Sequence, residues 1–286
     1  MKDQIQTASE VKSSSSAGKL ASVVRENKRR FAMFVMIVGL FFTAAFTSCN
    51  KDDDDDNGSD KVKLLEKITF SDSGDYIEYI NFEYDAQDRI TKFTWYYYDG
   101  DREPVKENNE TYTLTYNGED LVKFVLSYKR NDGDTYVYTT EFKKVGNQIT
   151  ATGTDTRSYD EGTYKLNSDG TLDNWTRDGL VISFEYYQDG NVKKKTIDDY
   201  GEWESITKYD KYDNENSPFL HCKTPKWFLL WWDFELITGI GLQNNATEID
   251  FDGDKVIIPY VYDSDGYPTK IVDDGEVAVE FKYKTK

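Results

Sequence analysis

From Val62 onward, apolar and polar residues alternate in short runs, and each run ends in a cluster of Asp, Asn and Gly. Alternation with period two sends successive side chains to opposite faces, so these runs predict half-buried strands joined by tight turns. The runs share a register: Tyr, two residues, Asp or Glu, a turn residue, one residue, an apolar residue, and often a Lys two places on. Copies begin at Tyr84 (Asp88, Ile90, Lys92), Tyr116 (Glu119, Val122), Leu166 (Asp169, Gly170, Leu172) and Tyr186 (Asp189, Gly190, Val192, Lys194). Two more begin at Tyr212 (Glu215, Asn216, Pro218) and Tyr262 (Asp265, Gly266, Pro268, Lys270), and Phe142 with Gly146 is a worn copy. Gly or Asn supplies the positive φ that a tight turn needs, Asp braces the turn with its own side chain, and the apolar residue restarts the inward row. Pro268, in the place held by Ile90, Val192 and Pro218, opens a strand close to an edge.

The copies recur at about 20 to 32 residues, one hairpin each, with a longer gap before the last. They predict an all-β protein, a large antiparallel up-and-down meander of roughly 14 to 16 strands. A sheet of that size must curl to manage its edges, which gives a barrel-like form. Lys193 to Lys195, Thr139 to Glu141 and Glu202 to Glu204 break both faces with polar groups, so the curled sheet reads as water-soluble and not as a lipid-spanning barrel.

One stretch interrupts the cadence. Pro218 and Phe219 stop the sixth unit, and Thr224 to Glu235 is apolar nearly throughout. Thr224 with Pro225 at the first helical position is a helix start. A short buried helix or compact loop is therefore expected near 225–237, plugging the curled sheet.

The N-terminal part is of another kind. A basic cluster at Arg25 to Arg30 precedes an apolar run, Phe31 to Phe46, of the length of a signal-peptide core. It ends at Thr47, Ser48 and Cys49, which resembles a bacterial lipobox. Residues 1–48 then form a lipoprotein signal peptide, Cys49 carries the lipid, and 49–61 is an acidic flexible tether before a single β-meander domain at 62–286. Lys51, Asp52 and Asp53, directly after Cys49, resemble the signal that sends Bacteroidota lipoproteins to the outer face of the outer membrane. Five consecutive aspartates repel one another and extend the tether.

Charge narrows the partners. The chain carries -18 overall, and seven Lys/Arg against three Asp/Glu in residues 1–48 leave -22 for the rest. Such acidity argues against nucleic acid, whose phosphates call for clustered Lys and Arg. With Cys49 lipidated, Cys222 has no partner for a disulfide, and beside the lone His221 it reads as structural. Asp250 to Asp254 resembles the start of a calcium loop but lacks the required Gly and Glu, so strand–turn–strand is the better reading. No metal site, cofactor site or catalytic constellation is legible. The 22 Tyr, 16 Phe and 6 Trp are a surplus of flat rings. Trp95 and Trp203, as rings on an exposed sheet face, and Trp231 and Trp232, in the apolar stretch, are the candidates for stacking on a ligand.

Together the lipobox, the tyrosine-led (YD-like) hairpin repeats, Tyr212 to Phe219, Asn244 with Asn245, and the closing Tyr260 to Lys270 motif resemble a family of Bacteroidota surface lipoproteins of unknown function with a porin-like fold. The resemblance covers residues 62 to 286 and implies no catalytic residue. The expected protein is an outer-membrane lipoprotein, anchored at Cys49, exposed at the cell surface and non-enzymatic. It would hold a glycan or other polymer as an accessory protein; the alternatives are a structural or interaction partner of an envelope protein and, less favoured, a hydrolase.

Overall fold

A computed structural model describes residues 62–71, 77–96, 109–129, 133–153, 161–231, 242–273 and 275–286. The signal peptide, Cys49, Lys51, Asp52, Asp53, the tether, Trp232 and the second half of the expected 225–237 element lie outside the described residues.

Seventeen strands follow one another along the chain. They are β1 (Lys63–Ser71), β2 (Ile77–Tyr84), β3 (Ile90–Tyr96), β4 (Glu110–Asn117), β5 (Asp120–Lys129), β6 (Thr135–Val145), β7 (Gln148–Gly153), β8 (Gly162–Leu166) and β9 (Leu172–Arg177). Then come β10 (Leu180–Tyr186), β11 (Val192–Asp199), β12 (Trp203–Tyr212), β13 (Ala246–Phe251), β14 (Asp254–Ile257), β15 (Tyr260–Tyr262), β16 (Pro268–Asp273) and β17 (Glu276–Thr285). One helix, α1 (Lys226–Trp231), lies between β12 and β13. Each strand pairs antiparallel with the next, β14 and β15 excepted, and β1 also pairs antiparallel with β17. The meander expected from the repeats is thus the fold.

The exception at β14 and β15 has a simple geometry. Every hairpin reverses direction, so β1 and β17 can be antiparallel only if β14 and β15 run the same way. They are two halves of one strand, broken at Ile258 and Pro259. Ile258 N–H still donates to Thr247 on the β13 side at 2.9 Å, whereas the Pro259 carbonyl accepts from Val272 N–H on the β16 side at 3.1 Å. Proline, with no N–H to place, suits the step between neighbours. Among the described residues no ladder joins β14 to β15, so the sheet is not closed at this seam.

The tyrosine turns all fall at one end of the sheet. In each unit but the worn one at Phe142 the lead residue sits at a register shift, at Tyr84, Tyr116, Leu166, Tyr186, Tyr212 and Tyr262. A bulge there bends the strand and re-aims the ring. The phenol of one hairpin then donates to the carbonyl that opens the second strand of the hairpin before it: Tyr116 to Ile90 at 2.7 Å, Tyr186 to Leu172 at 2.6 Å and Tyr212 to Val192 at 2.9 Å. Tyr84 reaches Leu65 on β1, and Tyr283, outside the repeat, reaches Pro268. The lead tyrosine is therefore a clasp between adjacent hairpins. One unit departs from the expected spacing: Tyr116 pairs with Leu121, not Val122, because the β4–β5 turn is one residue shorter and Leu121 is the buried residue.

The sixth turn holds the plug. Elsewhere the N–H after the lead residue donates to the carbonyl before the restart, as in Asp85 to Arg89, Tyr187 to Asn191 and Asp263 to Tyr267. In the sixth unit the same bond runs from Asp213 to Asn245 at 3.0 Å, and Tyr212 pairs with Ala246. Pro218 thus opens no strand, contrary to its place in the repeat; residues 214–244 are an insertion in the turn. From there Phe219 meets Phe82 of β2, Phe228 meets Phe124 of β5, and Trp227 meets Phe142 of β6 and Tyr164 of β8, at centroid distances of 5.8, 5.5, 5.2 and 5.0 Å. Strands this numerous enclose more space than their own side chains fill, and α1 supplies the missing core. Its Trp227, Phe228, Leu229 and Leu230 are all buried.

Outward rows are polar. Cross-strand pairs such as Lys92–Glu83, Lys194–Glu185 and Lys282–Glu66, at 2.8, 3.0 and 2.8 Å, stand on the outer wall. Lys or Arg on a lipid-facing wall costs about 2–4 kcal/mol at the bilayer midplane, so this exterior fits water.

Candidate functional site

At the end opposite the tyrosine turns, the inward rows do not finish in aliphatic core. Direct cross-strand partners share a face, and across β3 to β6 they read Trp95, Glu110, Tyr128 and Tyr136. One step deeper on the same face lie Phe93, Tyr112 and Tyr138, all buried. The outer four stand at the strand ends and are half-buried.

Local bonds hold this shelf in shape. Phe70 of β1 stacks beside Trp95 at 6.4 Å and 23°. Trp95 Nε1 donates to Glu78 Oε2 at 3.1 Å, and the Tyr112 hydroxyl donates to Glu110 Oε2. Tyr128 lies parallel to both Tyr136 and Tyr138, with centroids 5.5 and 5.8 Å away. Rings on β3 and β5 are two strand spacings apart, about 9.6 Å, with the Glu110 carboxylate on the strand between them. Aromatic faces pack against C–H surfaces, and carboxylate oxygens accept from hydroxyls. The arrangement can hold a polyhydroxylated ring or chain.

The four tryptophans picked from the sequence have different fates. Trp95 enters the shelf. Trp203 opens β12 at the same rim, on the inward row of Ser205, Thr207 and Tyr209, and is 41% exposed. Both were expected on an exposed sheet face; each shares parity with buried residues, Trp95 with Phe93 and Trp203 with Ser205 and Tyr209. Trp231 closes α1, half-buried, with its edge to Tyr164 at 5.7 Å. Trp232 lies outside the described residues. Sequence reasoning missed Glu78, Glu110, Tyr128 and Tyr136, whose common parity with Tyr112 and Phe93 was the available signal.

Other features are committed elsewhere. A cleft of about 420 Å³ between β8 and β10 surrounds Arg177, whose guanidinium is held by Glu161 at 3.7 Å and Asp178 at 3.6 Å. Asp250 and Asp252 serve the β13–β14 turn, accepting from Gly253 N–H and Ile206 N–H at 2.7 Å each. Burial pushes the Cys222 thiol up from its ordinary value, against hydrogen bonds involving Thr224. Burial also raises the phenols of Tyr84, Tyr116 and Tyr283 at the turn end. On the outer wall, hydrogen bonds from Lys211 and Lys255 hold the Glu248 carboxyl down at about 2.

An all-β antiparallel meander with a plugged interior is the class of protein these features define. The sequence matches no known protein-family profile, and no curated protein matches it. Similar solved structures include a porin-like protein from Bacteroides uniformis, 14% identical with a TM-score of 0.37, over 78% of this chain and 98% of that one. Another is a porin-like protein from Bacteroides vulgatus, 13% identical with a TM-score of 0.36, over 79% of this chain and 99% of that one. The architecture described above stands on the chain's own strand pairing.

Proposed function

We propose that this protein is a lipoprotein of the outer-membrane surface that binds a polysaccharide without catalysis. The Cys49 lipobox and the Lys51, Asp52, Asp53 signal support the address, and the polar outer wall is compatible with it. The observation that carries the binding reading is the rim shelf of Trp95, Tyr128 and Tyr136, with Glu110 between the rings. Glu78 and Glu110 act as acceptors that orient sugar hydroxyls and hold the rings through Trp95 and Tyr112. Affinity electrophoresis of the protein through gels containing plant, host and microbial polysaccharides tests the reading. Retardation by at least one polymer, lost in Trp95→Ala, is expected. Free migration in every gel overturns it.

A protein partner is the second reading. Ile257 and Val261, 65% and 44% exposed, point outward on either side of the seam, where β14 offers an edge with no ladder to β15. Co-purification of a stable envelope protein, lost in Ile257→Asp, would favour it.

A further inference from the structure

The two ends of the sheet are not equivalent with respect to the anchor. The chain enters the sheet at the tyrosine-turn end: Lys63 pairs with Thr285, Lys286 N–H donates to the Val62 carbonyl, and Lys63 Nζ binds Asp263 of the β15–β16 turn at 2.8 Å. All of these lie at the end opposite Trp95, Glu110, Tyr128 and Tyr136, which occupy the far termini of their strands. Only the twelve residues Asn50 to Lys61 separate Val62 from Cys49, a reach of at most about 45 Å when fully extended.

From this we infer that the tyrosine turns face the protein's own membrane and the aromatic rim faces away from it. The shelf therefore takes an extended polysaccharide arriving from outside the cell, and not a lipid headgroup or glycolipid of the membrane that holds the anchor. The inference rests on the lipid anchor and the glycan reading proposed above, and it adds a direction to them. It also gives the plug a place: the strand ends that carry it, Tyr212 and Ala246, are on the membrane side.

Mature lipidated protein bound to phosphatidylcholine vesicles with an acceptor-labelled lipid tests this. Cys222→Ala leaves one engineered thiol for a donor dye, at Glu119→Cys in the β4–β5 turn or at Glu202→Cys in the β11–β12 turn; both positions are exposed. Strands of about eight residues separate the two ends by about 25 Å, so energy transfer from position 119 should exceed that from position 202 by about two-fold or more. Equal transfer, or more from position 202, overturns the orientation while the anchor stands. Vesicle binding by Cys49→Ala equal to that of the lipidated chain overturns the anchor and the inference with it. The polysaccharide that retards the protein most in the gels is then added outside the same vesicles. Binding as tight as by the unanchored Cys49→Ala protein supports an outward rim, and loss of binding on anchoring overturns it. Absence of retardation in every gel removes the glycan reading alone, since the transfer measurement still reports which end faces the membrane.

Discussion

The turn end and the rim are made from the same strands and much the same residues, yet their aromatic rings do different work. At the turn end, the half-buried Tyr84, Tyr116, Tyr186, Tyr212 and Tyr283 give their hydroxyls to backbone carbonyls. At the rim, Trp95, Tyr128 and Tyr136 are half-buried too, but they stack with other rings, Trp95 with Phe70 and Tyr128 with Tyr136 and Tyr138. The cause is local. A bulge sets the lead tyrosine and aims it at the hairpin before it. A ring in this fold clasps a carbonyl or stacks on other rings according to which end of its strand it stands on.

The plug gives the largest lever on that contrast. Phe228 is fully buried against Phe124 and Trp227, and no strand can move in to replace it. Phe228→Ala should cost about 3–5 kcal/mol, the usual range for emptying a buried phenylalanine site, read as a lower urea midpoint. Trp95→Ala, at the rim, should cost far less and be felt in polysaccharide binding. Equal losses of stability would mean that the rim is core and the contrast false.

The clasps come next. Removing one buried phenol hydroxyl, as in Tyr283→Phe, leaves the Pro268 carbonyl short of a donor and should cost about 1–2 kcal/mol. Tyr128→Phe at the rim should cost less. The same phenols predict an alkaline signature. Burial raises Tyr84, Tyr116 and Tyr283 above the ordinary value of 10.0, so the unfolded chain loses these protons first. Their contribution to stability is whole below pH 10 and declines as pH rises from there toward the folded values. Phenolate absorbance should show Tyr84, Tyr116 and Tyr283 ionising only with unfolding, above pH 10. A single titration of all tyrosines near pH 10 would break the distinction.

How much of this was legible follows the same division. The turn spacing from Tyr84 to Ile90, Tyr186 to Val192 and Tyr262 to Pro268 is a local property of the chain, and it carried the strands, the meander and the hairpin ends. What depends on distant contacts was not legible. The clasp from Tyr116 to Ile90 joins two hairpins, and Tyr283 takes part without belonging to the repeat. Pro218 stands at the right interval for a restart, but only the bond from Asp213 to Asn245 shows that the turn closes around an insertion. The shared spacing points to Val122, but the β4–β5 turn is one residue shorter and puts Leu121 opposite Tyr116. Trp95 and Trp203 were recognised as rings apart from the core, but their face follows from pairing with Glu110 and Asp199, which no single strand reveals.

The outer wall offers the smallest effect and a control for both ends. Glu248 accepts from Lys211 and from Lys255, the latter at 2.8 Å, and its carboxyl is held at about 2 instead of 4.5. A depressed carboxyl favours the fold above its unfolded value, and that contribution is lost as pH falls from about 4.5 toward 2. Because the network is in contact with water and salt screens exposed pairs, the loss should be slight and should shrink further in high salt. Carboxyl carbon NMR should find the Glu248 midpoint near 2 in low salt, moving toward 4.5 as salt is added. Tyr84, Tyr116 and Tyr283, whose shifts come first from desolvation and not from opposite charge, should keep theirs in the same salt. If salt moved the tyrosines as well, burial would not be what separates the turn end from the rest of the molecule.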